Sequence, residues 1–245
     1  MCLLILLTGV DADFPVLVAS NRDEERSRRT SPPGLFVGSR RRMLSPRDAR
    51  AGGTWLGVSD HKLFAALTNV TKAPKRAGAR SRGTLPHLAL DQDDVASAVA
   101  AVRDEVTRAV FDGFQLVVSD GADTRVLVFD AKDLAEHRIA GGAVVLSNEH
   151  RLGELTLPGL DAACVRGLAL ERRFELLSSL LLDQGERSGH RVLKKGGEYG
   201  TVSSTLLAIP AGDLRGLRFC YAAGPPDETP YRDYGNLARR LLDDQ

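Results

Sequence analysis

Residues 1–24 read MCLLILLTGVDADFPVLVASNRDE, and the fold follows from how this stretch doubles back. Residues 2–8 and 15–20 form two apolar runs, each the length of a strand and not of a helix. The short polar connection at 11–13 makes them a hairpin, which sets Cys2 at a strand end. Four polar residues, Asn21, Arg22, Asp23 and Glu24, follow the second run. They form either a solvated turn or a cluster carried back beside Cys2, where Arg22 and Asp23 would orient the α-amine and thiol, the cation favouring thiolate.

Working outward, further strand-length runs lie at 54–59, 62–68, 114–119, 126–129, 143–146, 201–209 and 215–222. Val95, Val99, Val102 and Val106 recur at steps of three and four behind an acidic turn starting at Asp91, which predicts a helix. Leu160, Cys164, Leu168, Phe174, Leu177 and Leu181 predict a second long helix ending near Gly185, and 231–244 a short terminal one. The runs VLVF at 126–129 and AVVL at 143–146 are apolar at consecutive positions, so both faces of such strands must be covered. Two stacked sheets with helices outside, in one domain over 1–245, satisfy that demand.

The chain has 245 residues, of which 43% are hydrophobic and 27% charged, a balance that excludes a disordered or collagenous protein. Its 33 basic and 32 acidic residues leave a net charge of +1, which argues against a general nucleic-acid or anionic-membrane binder. No apolar stretch approaches the roughly 18 residues needed for stable membrane insertion. Cysteines at 2, 164 and 220 form neither a CxxC pair nor an even framework, so the expected compartment is the reducing cytoplasm. The five histidines at 61, 87, 137, 150 and 190 show no close ligand spacing, so neither a metal nor another cofactor is expected.

Cys2 carries the most chemistry. Removal of Met1 before a small second residue would leave a cysteine with a free α-amine. A thiol with pKa ~8.5 and an α-amine at ~7.7–8.0 exchange a proton at little cost, so such a residue carries its own general base. The plainer alternative is a small buried hydrophobe at the start of a strand.

Cys2, SNRDE at 20–24, AGGTWLG at 51–57, FAALTN at 64–69, SRG at 81–83, LSN at 146–148 and YGTVSST at 199–205 occur in this order. Together they resemble the NRDE family, also called transport and Golgi organisation 2-like, across most of the chain. The arrangement is more distantly similar to N-terminal-nucleophile cysteine hydrolases of the penicillin V acylase and bile salt hydrolase type. That resemblance implies an α+β, four-layer αββα sandwich and hydrolysis or acyl transfer at an amide C–N bond through a Cys2 acyl-enzyme. It implies further that Arg22 and Asp23 position the thiol and amine, that Asn69 donates to the oxyanion, and that Asn148 holds the substrate carbonyl or the α-amine. The partner would be a small-molecule amide or acyl substrate. The animal relatives' connection with secretion implies the alternative of a non-catalytic binding or trafficking protein for lipid, acyl-CoA or haem.

One segment departs from the pattern. Where many NRDE members read Gly-Thr-Arg, this chain has Gly200, Thr201 and Val202, and valine supplies no guanidinium. AGGTWLG lacks the lysine and helix of a phosphate loop, so Gly52 and Gly53 are expected to make a tight turn before Trp55. Residues 72–82 carry five basic side chains and no acid, which suits either a solvated loop or a clamp for phosphate or carboxylate. Two geometric expectations complete the reading. Asn69 and Asn148 should converge on Cys2 from the ends of neighbouring strands, and Arg22 and Asp23 should form a partly desolvated charged pair.

Overall fold

The computed structural model describes residues 2–160, 165–186 and 189–243. The opening hairpin is β1 (Leu3–Thr8) with β2 (Val16–Glu25), antiparallel, Leu3 opposite Asn21 and Thr8 opposite Val16. The chain then builds a seven-stranded antiparallel meander. Its strands, in spatial as in chain order, are β3 (Thr30–Val37), β4 (Arg42–Asp48), β5 (Leu56–Ser59), β6 (Phe64–Asn69), β7 (Phe114–Ser119), β8 (Thr124–Phe129) and β9 (Leu134–Arg138). It returns to the first sheet with β10 (Gly142–Ser147), β11 (Tyr199–Ile209), β12 (Arg218–Ala222) and β13 (Arg232–Asp233), in the order β10-β1-β2-β11-β12-β13.

Period-two alternation divides the apolar run of β1 between two cores. Leu4 and Leu6, with Val16 and Val18 of β2, meet Val58, Phe64, Ala66 and Val117 of the other sheet. Leu3, Ile5 and Leu7 face the other way, onto Phe174, Leu177 and Leu181 of α3 (Leu170–Leu181). On the far side, Leu63, Ala65, Leu116 and Val118 pack against α1 (Thr84–Leu90) and α2 (Val95–Arg108). The layers therefore run helix, sheet, sheet, helix. Each fully buried leucine contributes about 1.5–3 kcal/mol, so continuous apolar strands are what this stacking requires. Asp94 caps α2 reciprocally with Ser97, which fixes its start. A fourth helix, α4 (Asn236–Asp243), feeds Ala238 and Leu241 into the inter-sheet core.

Several elements differ from expectation. The second long helix begins at Leu170, because Gly167 turns to φ +74° and breaks the run from Leu160. The expected placement of Cys164 on its apolar stripe, and the last residues of the terminal helix, lie outside the described residues. Residues 214–216 form a 3₁₀ turn, so the strand expected from 215 starts at Arg218. Arg232–Asp233 is an edge strand, which delays the terminal helix to Asn236. The arginine-rich stretches at 26–29 and 40–42 flank and begin β3 and β4, two strands that the sequence reading missed. No described helix is long and apolar enough to cross a membrane.

Candidate active site

The hairpin register builds the site. With Leu3 opposite Asn21, one further step sets Arg22 across from residue 2 and brings Asp23 alongside. The Cys2 thiol donates to the Asp23 carbonyl oxygen at 3.9 Å. The other edge of β2 lies on β11, with Thr201 opposite Asp23 and Ser203 opposite Arg22, and the register shift between them makes Val202 a bulge.

Neighbouring strand residues point to opposite faces, so Arg22 and Asp23 have different partners. Arg22 Nη2 donates to Asp48 Oδ2 at 2.8 Å, and its guanidinium lies 4.6 Å from the centroid of the Trp55 ring. Asp23 Oδ1 accepts the Thr201 hydroxyl at 2.7 Å, and the Asp23 carbonyl accepts the Tyr199 hydroxyl at 2.9 Å. The charged pair expected between Arg22 and Asp23 is thus replaced by an Arg22–Asp48 pair in which both side chains are buried. Asp48 also accepts from Arg28 Nε at 2.7 Å and from the amides of Arg50 and Ala51. Although burial opposes it, these donors hold the Asp48 carboxyl below its ordinary range. Burial pushes Asp23 up to about 6, against the pull of the Thr201 hydroxyl. Burial and the Asp23 charge together raise the Cys2 thiol.

Asn69 ends β6 and Asn148 follows β10, so the two belong to opposed sheets and not to neighbouring strands. They meet because the sheets face each other at this rim. Asn148 Oδ1 accepts the Asn69 amide N–H at 2.8 Å, the Asn148 N–H donates to the Cys2 carbonyl at 3.2 Å, and the Asn148 carbonyl accepts from Thr71 N and Oγ1. Asn148 is therefore a brace between sheets. Among the described residues no hydrogen bond takes up the side-chain amide of Asn69.

A cleft of about 380 Å³ opens here, lined by Cys2, Arg22, Asn69, Trp55, Leu67 and the 79–83 segment among others. Asp23 and Asn148 stand behind Cys2 and do not line it. Gly52 takes φ +72° in the turn before Trp55. Gly53 has another role: a Cβ there would lie 2.5 Å from the backbone of Gly83, and Thr54 N donates to Gly83 O at 3.0 Å. The segment at 72–82 is exposed over most of its length, as a solvated loop is, but it is pinned to the rest of the fold at several points. Lys75 pairs with Asp112, Arg80 with Glu105, and Arg82 Nη1 donates to the Gly113 carbonyl at 2.9 Å. Among the described residues no group of three His, Cys, Asp or Glu is placed to hold a metal.

Sequence reasoning missed Asp48, Thr201 and Tyr199. Thr201 and Tyr199 stand in the YGTVSST segment, whose only visible signal was its resemblance, and Asp48 lies in a stretch without apolar periodicity.

Comparison with known proteins bears on fold and family. Over 95% of this chain and 92% of the other, the structure superposes on a variant of the conjugated bile acid hydrolase of Clostridium perfringens, with TM-score 0.58 and 13% identity. A Caenorhabditis elegans ortholog of N-acylethanolamine-hydrolyzing acid amidase gives TM-score 0.51 at 12% identity, covering 84% of this chain and 92% of that one. The fold is therefore the αββα sandwich of N-terminal-nucleophile hydrolases. In sequence, the Transport and Golgi organization 2 homolog of Mus musculus is 33% identical over 111 residues, and the Homo sapiens homolog 35% over 111. Each match covers 44% of this chain and 39% of the relative, about two fifths of its length. Because the family model for Transport and Golgi organisation 2 matches residues 1–158, a span that takes in every residue from Cys2 to Asn148 in the rim just described, the chain belongs to that family.

Proposed function

We propose that the chain is an N-terminal-cysteine hydrolase or acyltransferase that opens an amide C–N bond through a Cys2 acyl-enzyme once Met1 is removed. The observation that carries this reading is the convergence of Cys2, Arg22 and Asn69 on one cleft, with Asp23 against the thiol from behind. In the proposed reaction the freed α-amine takes the thiol proton, and the Cys2 sulfur forms a C–S bond to the amide carbonyl carbon. Asn69 donates its side-chain amide to the resulting oxyanion. The intermediate collapses as the C–N bond breaks, and the amine leaves with the proton held by the α-ammonium. Water, giving a proton back to the α-amine, then attacks the thioester and releases the carboxylic acid and the thiol. In acyl transfer an amine or alcohol takes the place of water.

In this reading Asp23 accepts from the α-ammonium, and Arg22 favours the thiolate. Residues 1–245 act as a single domain, since the inter-sheet core draws on residues from Leu4 to Leu241. The setting is cytoplasmic, where the free thiols Cys2 and Cys220 stay reduced. A carrier of lipid, acyl-CoA or haem would need an apolar groove. The cleft instead presents five arginines and three carboxylates around Trp55 and Leu67, which favours the hydrolase. The test is incubation of mature protein with a panel of N-acyl amides and thioesters, followed by intact mass. A Cys2-linked acyl adduct and amine release, both absent from Cys2→Ala, are expected. Failure of every compound to acylate Cys2 overturns the reading in favour of binding or trafficking.

A further inference from the structure

All three carboxylates of the cleft already have partners within the protein. Asp48 takes Arg22 and Arg28, Glu24 takes Arg28 at 3.1 Å, and Asp112 takes Lys75 at 3.1 Å together with the Arg76 amide. Arg82 stands in the same lining without a carboxylate. Among the described residues none lies within 4.0 Å of its guanidinium, which makes one hydrogen bond, from Nη1 to the Gly113 carbonyl. Arg82 is also half-buried. Its other donors have no partner among the described residues and open onto the cleft, where an anion could replace the water that serves them. A second observation points the same way: Arg22, 5% exposed and lining this cleft, has its buried Nη1 without a hydrogen-bond partner.

We propose that the cleft recognises its substrate by an oxyanion group, a carboxylate or a phosphate, which Arg82 binds with help from Arg22 Nη1, so that Arg82 is the specificity-determining residue of the site. The inference rests on the proposed function for the position of the acyl carbonyl at Cys2, and it adds the chemical class of the rest of the substrate. Guanidinium is the side chain suited to this task, because its planar fork meets two oxygens of one anion at once. Arg82 is also held in advance of binding. The Thr54–Gly83 hydrogen bond and the close Gly53–Gly83 approach fix the residue that follows it, and the Gly113 bond fixes its side chain. Burial lowers the pKa of Arg82, and the charge of Asp112 only partly offsets it. Trp55 and Leu67 supply the apolar wall for the chain between anion and carbonyl. The ligand is thus a compact amide or thioester bearing one anionic end.

Binding without turnover tests this apart from catalysis. On Cys2→Ala protein, calorimetry compares N-octanoylglycine with its uncharged counterpart N-octanoylglycinamide. The carboxylate is expected to bind about 10- to 100-fold more tightly, the worth of a hydrogen bond to a charged group. Arg82→Gln should reduce the preference to threefold or less, and Arg82→Lys should keep part of it. Should Arg82→Gln fail to fold, the Arg82→Lys protein and the two-ligand comparison on otherwise unaltered protein still decide. Competition by inorganic phosphate would assign the site to phosphate, and absence of competition to carboxylate; either upholds it. Equal affinity for the two ligands, no binding of the carboxylate at millimolar concentration, or a preference that survives in Arg82→Gln overturns it. If the anion preference holds while Cys2 is never acylated, the anion site stands and only the hydrolase reading falls.

Discussion

Asn148 Oδ1 accepts the backbone N–H of Asn69 at 2.8 Å, so a side chain from one sheet closes the last hydrogen bond at the end of a strand in the other. Asn148 is 4% exposed. Its removal would leave a donor short of its partner at the rim where the two sheets face each other. The two asparagines therefore have separable roles, one bracing and one aimed at the cleft.

Asn148→Ala is accordingly expected to cost about 1–3 kcal/mol of stability, the penalty for an unsatisfied buried group. Asn69→Ala should change stability by less and slow acylation of Cys2 by about 10²–10³, the loss seen when one oxyanion donor is removed. Urea denaturation and acyl-probe kinetics on both variants separate the two. A large stability loss in Asn69→Ala with unaltered acylation would contradict the division.

The buried Arg22–Asp48 pair gives the largest structural effect expected of the site. Asp48→Ala leaves Arg22, facing the Trp55 ring, with only Glu24 at 3.6 Å, takes from Arg28 one of its two carboxylates, and strands the Arg50 and Ala51 amides. A loss of about 3–5 kcal/mol is expected, as for other buried pairs broken on one side. The exposed Arg172–Glu175 pair on α3 is the control, and Arg172→Gln should shift stability by about 0.5 kcal/mol or less. Comparable denaturation midpoints for the two variants would show Asp48 to be dispensable.

How much of this was legible follows the same physics. The opening hairpin was readable because its two runs are apolar and strand-length, yet β2 continues to Glu25, five residues past the expected end. Asn21 to Glu24 look like a turn by composition. They are strand because β11 pairs with them, with Thr201 and Ser203 opposite Asp23 and Arg22, and that partner lies about 180 positions away in sequence. Strand β3 was hidden by Pro32 and Pro33, tolerated because it is an edge strand with a register break between Ser31 and Gly34. Strand β9, also an edge, carries Glu136, His137 and Arg138 and lacks apolar alternation. Within the site, Cys2, Arg22 and Asn69 were visible through motifs, whereas Asp48 was not, because ion-pair partners leave no periodic trace.

Asp23 makes stability depend on pH in an unusual sense. Its folded pKa of about 6 lies above the ordinary value of 3.8, so the folded state holds a proton that the unfolded chain has released. Stability is then fully present below about pH 4, falls as pH rises towards 6, and changes no further above it, by about 3 kcal/mol across the window for this one group. Asp23→Asn removes the dependence. The stability of wild type relative to Asp23→Asn, from denaturation at pH 4, 5, 6 and 7 on protein retaining Met1, should decline over that range. A flat difference, or a rise, would show that Asp23 is not held protonated by burial.

The N-terminal mechanism makes the strongest demand on the chain. While Met1 is attached, the nitrogen of Cys2 is a planar amide and accepts no proton, and the thiol is raised by burial and by the Asp23 charge. Such a thiol has neither a base nor an easily formed thiolate. Removing Met1 creates an α-amine beside Asp23, and the proton transfer from sulfur becomes nearly isoenergetic. Acylation of Cys2 by amides and thioesters should therefore be absent from Met1-retaining protein and present in processed protein. Cys220→Ala should leave it intact, since Cys220 is buried in β12 and its thiol is pushed up to about 11. Cys164→Ala is the companion control for the third cysteine. The measurement is peptide-mapped acyl labelling of processed and unprocessed protein across these variants. Equal labelling of both forms, or loss of labelling only in Cys164→Ala or Cys220→Ala, would rule out a self-basic Cys2, because an amide nitrogen would then have sufficed or another sulfur would have reacted.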